Sequence, residues 1–459
     1  MCPAMDWEKS DIDTPGKREK FTISVVGCGR IGLPTALIFA DAGFRVIGVD
    51  ANPQIVNLLT RGKAPFNEPG MDKLLKKHVK NPRFSATTDI RKASSESDVV
   101  ILVVPTPIDP KKKPDYSAVE KPCKDVGLGL RRGSIVIVAS TTGPGIAETL
   151  VRETLENSSG LKAGVDFGLA YSPTRAAPGR VLSDIVSYAR VVGAINNESL
   201  KAAGIVLGTV VKGGIVEVKD MKTAEAVKLF ENVYRDVSIA LANELGQFCE
   251  KVEIDFLEAQ RAANTQPYCH LLVPGIVSGH IPKDPYLLFD EAENINVKLR
   301  MLLLARKIND EMVAHTMRLT KDALKHCGKT LRRARITVLG VSYRANVKEA
   351  RGSSTTQLVD MLRAKGATVH VYDPFYPFKE MKEMGYPTER TLTKAVEGAD
   401  CLIFVVGHDR FKRLNMKRIK FLMRKSAALV DMGHVIELPL KAEKEGFVYR
   451  GVGRGVWSK

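Results

Sequence analysis

One stretch near the start of the chain has the residue types and spacing of a dinucleotide-binding loop. The sequence GCGRIG, residues 27–32, follows a short run rich in valine and isoleucine and precedes an apolar run of helical length. In this context the first glycine allows a tight turn, the second lets a pyrophosphate approach the backbone, and the third lets the helix pack closely on the strand. Free N–H groups at the helix N-terminus bind the phosphates. The predicted dinucleotide-binding residues are Gly27, Gly29, Arg30, Ile31 and Gly32.

An acidic residue completes this pattern. Asp50 ends the next strand-like run, at the distance from the glycines where a dinucleotide fold places its ribose-binding acid. Its carboxylate would accept hydrogen bonds from the adenosine ribose hydroxyls and repel a 2′-phosphate. This favours NAD over NADP, although Arg45 nearby keeps NADP open.

Three polar residues further along the chain form a second candidate site. Lys228 and Asn232 are four positions apart in a predicted helix and therefore share a face, opposite much of its apolar stripe. Both could project into a cleft between domains, or simply be solvated. Asp284 follows a loop rich in glycine and proline, where a carboxylate most often caps the next helix. The apolar stripe consists of Ala226, Phe230, Val233, Val237, Leu241 and Leu245.

Short apolar runs separated by segments of helical length supply the framework for both sites. Continuous runs rich in valine and isoleucine are typical of parallel strands covered on both faces. One group of runs at each end of the chain predicts an α/β protein with two Rossmann-like, doubly wound parallel-sheet domains. The runs are 21–27, 44–50, 98–105 and 134–140 in the N-terminal half, and 335–341, 368–374, 401–407 and 427–433 in the C-terminal half.

Between these groups the pattern changes to long helices. Apolar residues recur at helical spacing over 223–252, and a second helical pattern covers 296–328 and ends at Gly328. We therefore expect a long-helix central domain that joins the two sheet domains. The predicted divisions are a loosely held N-terminal tail over 1–20, a dinucleotide-binding domain over 21–215, a central helical domain over 216–330 and a C-terminal domain over 331–459.

Composition limits the class of protein. The chain has 459 residues, 44% apolar and 26% charged, as in an ordinary soluble protein of two or three domains. No apolar run reaches the roughly 18–20 residues that span a bilayer, and the polar N-terminus lacks the apolar core of a signal peptide. The seven cysteines are scattered without CxxC spacing, which indicates a reducing compartment. We expect a cytoplasmic protein without a disulfide framework, a metal site or a membrane partner.

The net charge of +17 is compatible with nucleic acid, an anionic membrane surface or phosphorylated substrates. The basic residues are spread along the chain, and the densest run, Lys111-Lys112-Lys113, lies between prolines in a predicted loop. No interleaved aromatic residues or nucleic-acid-binding motif accompany it. We interpret this run as solvated surface and expect no nucleic-acid partner.

Longer segments, taken together and in order, carry a family resemblance. They are VGCGRIGLPTALIFADAGFRVIGVD, APFNEPGMDKLL, ILVVPTPIDPKKKPDYSAV, VASTTGPGIAETL, SPTRAAPGR, EAVKLFENVYRDVSIALANEL, SGHIPKDPY, LGVSYRANVKEARGSSTTQLV and VYDP. Through them the chain resembles the UDP-glucose/GDP-mannose dehydrogenase family, in particular the branch acting on UDP-N-acetylhexosamines such as UDP-N-acetylmannosamine. The resemblance implies an N-terminal NAD domain, a helical middle that forms a homodimer and a C-terminal domain that binds UDP. It further implies oxidation of a sugar C6 alcohol to the carboxylate by two NAD.

The resemblance also implies roles for individual residues. Lys228 and Asn232 would stabilise the developing oxyanion, with Lys228 contacting substrate, while Thr141 and Asp284 would organise water and protons. Thr106 and Thr141 would contact the cofactor. Four arginines would bind the substrate, namely Arg175 and Arg180, and from the C-terminal domain Arg344 and Arg351 at the diphosphate. An excess of positive charge suits a dianionic UDP-sugar.

Three positions depart from the family pattern. The family's loop reads like GGHCIPxDP, whereas this chain has SGHIPKDP over residues 278–285 and no cysteine there. Counting back four residues from Asp284 reaches His280 instead. Thr174 stands where the family carries the glutamate of a Pro-Glu-Arg motif, and Ala139 stands where many members carry glutamate.

The missing cysteine bears on the chemistry. An aldehyde must add a nucleophile before it can lose a hydride, and a thiolate does so through a hemithioacetal and then a thioester that water cleaves. Imidazole is a poorer partner, so His280 would be a base or a loop residue satisfied by backbone partners. Cys269 lies upstream of the loop, where we interpret it as a packing residue.

Three alternatives therefore stay open at the level of sequence. The enzyme could form the acid by hydride transfer from an aldehyde hydrate, with His280 or water as base. It could perform one two-electron step, either a simple oxidation or a transient one that supports epimerisation with NAD recycled. It could also be a non-catalytic nucleotide-sugar-binding paralogue. The retained Lys228, Asn232 and Asp284 favour catalysis, and the sequence predicts an NAD-dependent nucleotide-sugar oxidoreductase.

Overall fold

Strands and helices alternate along most of the chain in the computed structural model, which describes residues 7–455. The strands are β1 Thr22–Val26, β2 Arg45–Val49, β3 Phe84–Thr87, β4 Val99–Leu102, β5 Ile135–Val138, β6 Gly168–Tyr171, β7 Arg190–Ala194, β8 Ile215–Glu217, β9 Arg335–Leu339, β10 Thr368–Tyr372, β11 Cys401–Phe404, β12 Ala427–Asp431 and β13 Phe447–Gly451. The α-helices are α1 Pro15–Arg18, α2 Gly32–Ala42, α3 Pro53–Thr60, α4 Met71–Lys80, α5 Ile90–Ser95, α6 Ser117–Gly129, α7 Arg152–Ser159, α8 Val181–Ser187, α9 Asn197–Gly208, α10 Met221–Lys251, α11 Phe256–Ala263, α12 Asp284–Asn294, α13 Arg300–Asp310, α14 Met312–His326, α15 Thr355–Ala364, α16 Phe378–Glu383, α17 Leu392–Val396, α18 Asp409–Lys412, α19 Met416–Leu422 and α20 Pro439–Lys444. A 3₁₀ turn at Lys9–Asp11 and a π-helical turn at Ala147–Val151 complete the regular structure.

The first sheet contains eight strands in the order β3-β2-β1-β4-β5-β6-β7-β8. Neighbouring strands are parallel except β6 and β7, which are antiparallel. Strands β1, β4 and β5 are buried along their whole length, as their unbroken apolar runs predict. The strand order reverses between β1 and β4, and open α/β sheets bind ligands at the carboxyl ends of strands at such a point.

The second sheet is wholly parallel, in the order β10-β9-β11-β12-β13. The chain divides into two compact units, of which the first extends to Glu231 and also contains Lys283–Lys298. The second unit contains Asn232–Pro282 and the residues from Leu299 onward. Each unit holds one of the two sheets. The predicted α/β class with two Rossmann-like parallel sheets is confirmed.

The long helix α10 passes from the first unit into the second. Its predicted apolar stripe is wrong in part, because Phe230 and Leu241 are 62% and 48% exposed. Asn232, predicted on the opposite face, is buried. Helical periodicity locates the helix, but it does not say which face the chain itself covers.

The second helical pattern forms two helices rather than one. The helix α13 ends at Asp310 and α14 begins at Met312, with only Glu311 between them. Within the second unit, α13 is joined to α10 by buried polar contacts. The Arg306 guanidinium pairs with Asp236, and Asn309 Nδ2 donates to an Asp236 carboxylate oxygen at 2.8 Å.

Residues 7–20, which belong to the predicted loosely held tail, are largely exposed but are anchored by two buried side chains. Trp7 and Ile12 are both buried. The Arg18 Nε atom donates to the Ile12 carbonyl oxygen at 2.6 Å. The prediction fails here because two apolar side chains anchor a segment whose composition is otherwise polar. Residues 1–6 of the predicted tail lie outside the described residues.

Within residues 7–455, no helix combines the length and the apolar character needed to cross a bilayer. Nor does that range bring three or more His, Cys, Asp or Glu side chains together as a metal site. Its six cysteines are free thiols, and Cys2 lies outside it. Burial raises the pKa of the Cys123 thiol to about 12, which makes that thiol unreactive.

Candidate active site

The loop over residues 27–32 requires glycine at two of its positions. Gly27 has a φ of +98°, and a Cβ there would lie 2.2 Å from the Val103 carbonyl oxygen. A Cβ on Gly32 would lie 1.7 Å from the Gly27 carbonyl oxygen, so α2 begins directly against the loop. A Cβ on Gly29, by contrast, would meet no atom of residues 7–455 within 4 Å. The open space above Gly29, beside the N-terminus of α2, fits a pyrophosphate.

Asp50 lies at the carboxyl end of β2, where its carboxylate is held by the main chain. One oxygen accepts from the Cys28 N–H at 3.0 Å and the other from the Asn52 N–H at 2.9 Å. Each oxygen has further lone pairs for ribose hydroxyls. Arg45 begins the same strand and donates to the Lys20 carbonyl oxygen at 3.1 Å. The arginine that kept NADP open thus lies at the far end of β2, and the site fits NAD.

The other predicted cofactor residues lie around this loop or at the same sheet edge. The Arg30 guanidinium lies over the Phe66 ring, 5.1 Å from its centroid, and Ile31 precedes α2 as its N-cap. Thr106 and Thr141 follow β4 and β5, which continue the sheet from β1. Because the carboxyl ends of parallel strands meet at one edge, both threonines lie on the ligand-binding side of the sheet.

Lys228 lies in the part of α10 that belongs to the first unit and is partly buried. Its Nζ atom donates to the Thr174 carbonyl oxygen at 3.0 Å. Burial lowers the pKa of the amine, Asp284 and Glu231 oppose that shift, and two neighbouring arginines add to it. The structure therefore brings Lys228 and Asp284 into one electrostatic site, although they are far apart in sequence.

Asp284 is the first residue of α12 and is almost fully buried. It is not the N-cap that its loop position predicts, because Lys283 occupies that place. The Lys283 Nζ atom lies 2.9 Å from an Asp284 carboxylate oxygen and donates to the Thr106 carbonyl oxygen at 2.8 Å. Sequence reasoning missed Lys283, because a lysine beside an aspartate is indistinguishable from ordinary surface charge.

The basic run at 111–113 is not wholly solvated, contrary to our interpretation. The Lys112 Nζ atom donates to the Tyr286 hydroxyl at 2.7 Å, and Lys113 Nζ lies 3.0 Å from an Asp290 carboxylate oxygen. Lysines in an apparent surface loop thus bind α12. They help to attach the helix that Asp284 opens to the loop that follows β4.

Glu225 is a buried carboxylate that sequence reasoning also missed. Its oxygens accept hydrogen bonds from the Thr142 hydroxyl at 2.8 Å, the Gly145 N–H at 2.6 Å and the Ala147 N–H at 2.9 Å. Burial outweighs these bonds and raises the pKa of Glu225 to about 7. Glu225 therefore fixes the loop that contains Thr141, and helical spacing from Lys228 on α10 was the signal that could have found it.

The two arginines of the SPTRAAPGR segment separate in the structure. The Arg175 Nη2 atom lies 2.6 Å from a Glu231 carboxylate oxygen, and Arg175 is one of the charges that act on Lys228. Arg180 is exposed, precedes α8 as its N-cap residue and lies 3.7 Å from Asp184 on that helix. The structure thus joins Arg175, but not Arg180, to the Lys228 site.

Asn232 and His280 belong to the second unit. Asn232 is buried and lies one turn along α10 from Lys228, so the two share a helix face as predicted. His280 is exposed. It follows Gly279, whose φ is +78° and where a Cβ would lie 2.7 Å from the Tyr343 ring. This close packing fixes the main chain of the loop that carries His280.

Arg344 and Arg351 follow β9 in the second unit, on the carboxyl side of its sheet. Arg344 is exposed. Arg351 makes two hydrogen bonds to the Glu349 carboxylate, at 3.0 and 2.9 Å, which offset part of its charge. Asp373 accepts from the Val341 N–H at 2.8 Å and so holds the main chain that leads to Arg344.

Comparisons with known proteins identify related domains along most of the chain. Three models of the UDP-glucose/GDP-mannose dehydrogenase family match in order: the NAD binding domain over 21–207, the central domain over 222–311 and the UDP binding domain over 337–438. A UDP-N-acetyl-D-mannosamine dehydrogenase of Pyrococcus horikoshii is 35% identical over 435 residues, which are 94% of this chain and 99% of that one.

Two solved structures are similar over nearly the whole chain. A UDP-D-ManNAc dehydrogenase from Pyrococcus horikoshii has a TM-score of 0.87 and 34% identity, covering 95% of this chain and 100% of that one. An NDP-N-acetyl-D-galactosaminuronic acid dehydrogenase from Methanosarcina mazei Go1 has a TM-score of 0.81 and 32% identity, covering 96% of this chain and 98% of that one.

Proposed function

Because the chain belongs to the UDP-glucose/GDP-mannose dehydrogenase family, we propose that it oxidises the C6 alcohol of a UDP-N-acetylhexosamine such as UDP-N-acetylmannosamine. The chain is an NAD-dependent nucleotide-sugar dehydrogenase that acts on a CH–OH group. Relatives named for UDP-N-acetyl-D-mannosamine and for an NDP-N-acetylgalactosaminuronic acid support a hexosamine. They give no support to an epimerase or to a non-catalytic binding protein.

One observation carries this proposal: Lys228 and Asp284 lie in the unit that also holds the dinucleotide loop, and the Asp284 carboxylate opposes the lowering of the Lys228 pKa by burial. Bound NAD supplies a hydride acceptor. Lys228 and Asn232 stabilise the oxygen of the reacting alcohol as negative charge develops there, and such groups contribute about 3–4 kcal/mol each in a site closed to water. Asp284 and Thr141 organise water and protons.

Basic residues bind the charged parts of the substrate. Arg175 contacts the sugar end, since it already lies in the electrostatic environment of Lys228. Arg180 contributes only if its exposed side chain leaves Asp184 when substrate binds. Arg344 and Arg351 bind the diphosphate from the second sheet, a role supported by the exposure of Arg344 and by the UDP binding model over 337–438.

The extent of oxidation follows from the absent cysteine. No thiol occurs in residues 270–326, and the Cys269 thiol donates to an Asn264 side-chain oxygen at 3.8 Å, as a packing residue would. A second hydride transfer therefore proceeds from the aldehyde hydrate, with His280 or water as base. A single oxidation that ends at the aldehyde is the second candidate, favoured by the same absence.

The number of NADH molecules formed per UDP-sugar consumed tests these proposals. The purified protein is incubated with NAD and a panel of UDP-N-acetylhexosamines, and the products are identified by mass spectrometry. Two NADH and a uronate support the acid-forming route, whereas one NADH and an aldehyde support the single oxidation. If both ligands bind and no UDP-sugar yields NADH or a changed sugar, the dehydrogenase proposal is wrong.

A homodimer and a cytoplasmic location complete the proposal. On α10, the exposed side chains of Phe230, Tyr234, Leu241 and Phe248 recur at helical spacing. A row of large apolar side chains of this kind marks an interaction surface, and a second copy of the chain is its natural partner. Sedimentation velocity of the wild type and of a Leu241→Glu variant tests this, because the charge should shift a dimer toward monomer.

A further inference from the structure

Arg190, on β7, is a buried arginine that pairs with no carboxylate of residues 7–455. Its Nε atom donates to the Ser172 hydroxyl at 2.9 Å, and its Nη2 atom donates to the Ser172 carbonyl and Thr174 hydroxyl oxygens, both at 3.1 Å. These partners satisfy hydrogen bonds but carry no negative charge. Buried charges are normally paired, because taking an ion out of water is costly. Burial, reinforced by Arg175, lowers the pKa of the Arg190 guanidinium to about 10.

Thr174 connects this charge to Lys228. Its hydroxyl accepts from Arg190, and its carbonyl oxygen accepts from Lys228 Nζ at 3.0 Å. Thr174 thus contacts both basic side chains, Arg190 through its side chain and Lys228 through its main chain. Thr174 is also the position at which the family resemblance leads one to expect a glutamate.

The other charges around Lys228 are already matched. The groups that act on its amine are Asp284, Glu231, Arg175 and Arg190. Glu231 pairs with Arg175 at 2.6 Å, and Asp284 pairs with Lys283 at 2.9 Å. Both carboxylates therefore have a second basic group beside them, and Arg190 contributes positive charge that no carboxylate in the described part of the chain offsets.

We propose that Arg190, left without a carboxylate because Thr174 supplies only a hydroxyl, is a positioning residue that favours the uncharged amine of Lys228. It acts by repelling a second positive charge at Lys228, while its hydrogen bond to the Thr174 hydroxyl holds in place the residue on which Lys228 is anchored. An uncharged amine can accept a proton, whereas an ammonium cannot.

The effect of the Lys228 charge state on catalysis rests on the proposed function. In that reaction the C6 hydroxyl would give its proton to Lys228 Nζ, and the ammonium so formed would stabilise the developing negative charge on that oxygen together with Asn232. Bound NAD would accept the hydride from C6. The products would be an aldehyde, an ammonium on Lys228 and NADH, so atoms and charge balance. Substrate oxidation then rises with the fraction of Lys228 that is uncharged.

The test compares Thr174→Asp with Thr174→Asn in the full-length protein. Asparagine and aspartate have nearly the same shape and are close to threonine in size, so the pair differs mainly in a negative charge beside Arg190. The charge state of Lys228 is read without substrate, by brief labelling with trace acetic anhydride across a pH series. Mass spectrometry of the Lys228 peptide gives the labelling midpoint, because only the uncharged amine reacts.

We expect the labelling midpoint of Thr174→Asp to lie about one pH unit or more above that of Thr174→Asn, since an opposite charge within a few ångströms shifts a titration by that amount. At a pH below both midpoints, the labelling rate then differs about tenfold. The acid limb of kcat/KM for a UDP-sugar should move in the same direction. Equal midpoints in the two variants overturn the proposal.

A second pair guards against a local misfit. Thr174→Glu and Thr174→Gln place a carboxylate and an amide, respectively, one methylene further from the main chain. Circular dichroism confirms that each variant is folded. Arg190→Gln removes the cation itself and should also raise the Lys228 labelling midpoint. If labelling shows the expected shift but no UDP-sugar is oxidised, the proposed function fails while the role of Arg190 stands.

Discussion

The Nζ atom of Lys283 lies 2.8 Å from the Thr106 carbonyl oxygen, and this hydrogen bond joins the start of α12 to the loop after β4. The same ammonium lies 2.9 Å from the Asp284 carboxylate. One lysine thus connects a predicted cofactor residue to a predicted catalytic residue. Because Lys283 contacts both groups, a movement of Asp284 would disturb the loop that follows β4.

Replacing Lys283 by methionine should lower kcat/KM about tenfold or more, because hydrogen bonds to charged groups contribute about 1.5–3 kcal/mol. The variant loses the contact to Thr106 and leaves Asp284 buried without its neighbouring ammonium. Steady-state kinetics with NAD and a UDP-N-acetylhexosamine measures the effect. The Lys283→Arg variant, which keeps the charge, should retain more activity than Lys283→Met, and equal activity in wild type and Lys283→Met would remove Lys283 from the site.

Lys228→Ala should reduce turnover by roughly two to three orders of magnitude, as expected when a donor to a developing oxyanion is removed. The affinity for NAD, measured by titration calorimetry, should change little because Lys228 donates its hydrogen bond to the Thr174 carbonyl oxygen, outside the dinucleotide loop. Lys222→Ala is the matched control, since Lys222 is an exposed lysine on the same helix. Unchanged kinetics of Lys228→Ala would exclude it from the reaction.

Two glycine substitutions separate cofactor binding from folding. Gly29→Val should leave the free energy of unfolding nearly unchanged, because a Cβ at Gly29 meets nothing within 4 Å. It should weaken NAD binding at least tenfold by filling the space that the pyrophosphate needs. Gly32→Ala should instead destabilise the fold, since its Cβ would lie 1.7 Å from the Gly27 carbonyl oxygen. Thermal unfolding and NAD titration of both variants decide this, and an unstable Gly29→Val protein would contradict it.

Glu225 should make the stability of the protein depend on pH between about 4.5 and about 7. Burial raises the pKa of Glu225 from 4.5 to about 7. In that window the folded state binds more protons than the unfolded state, so the contribution of this group is complete below pH 4.5 and is lost as the pH rises through about 7.

Urea unfolding at pH 5 and pH 8 measures this contribution as the difference between wild type and Glu225→Gln. The wild-type advantage should shrink at the higher pH, because glutamine does not titrate. Glu153→Gln, which changes an exposed glutamate on α7, serves as the control and should show no such trend. A wild-type advantage that grows with pH would mean that the three hydrogen bonds to Glu225 outweigh its burial.

His280→Ala should lower turnover much more than it weakens NAD binding, if His280 is the base that replaces the missing thiol. The side chain is exposed, so its removal should cost little stability. Stopped-flow measurement of NADH formation separates the first hydride transfer from the second. A normal first transfer with a slowed second one is the expected pattern, and wild-type rates for both would make His280 a structural loop residue.

The sequence predicted the first site better than the second for a local reason. The glycine loop and Asp50 lie within one strand–loop–helix–strand segment, so spacing alone specifies their arrangement. Lys228 and Asp284 are separated by more than fifty residues, and only the family resemblance linked them. Arg190, Glu225 and Lys283 were missed because no spacing rule marks a charged side chain that becomes buried by long-range packing.

Sequence by itself determined the alternation of strands and helices, the cofactor class and the absence of a thiol in the loop before Asp284, because each is written in residue types at short separations. Tertiary structure alone decided the antiparallel pairing of β6 and β7, the exposed apolar row on α10 and the charges around Lys228. These features depend on which distant groups come together in the folded interior. In that low-dielectric environment one unpaired charge shifts the pKa of a neighbouring group far more than it would in water. Thr174 illustrates the difference. In the sequence it is only a departure from a motif, whereas in the fold it accepts hydrogen bonds from both Arg190 and Lys228.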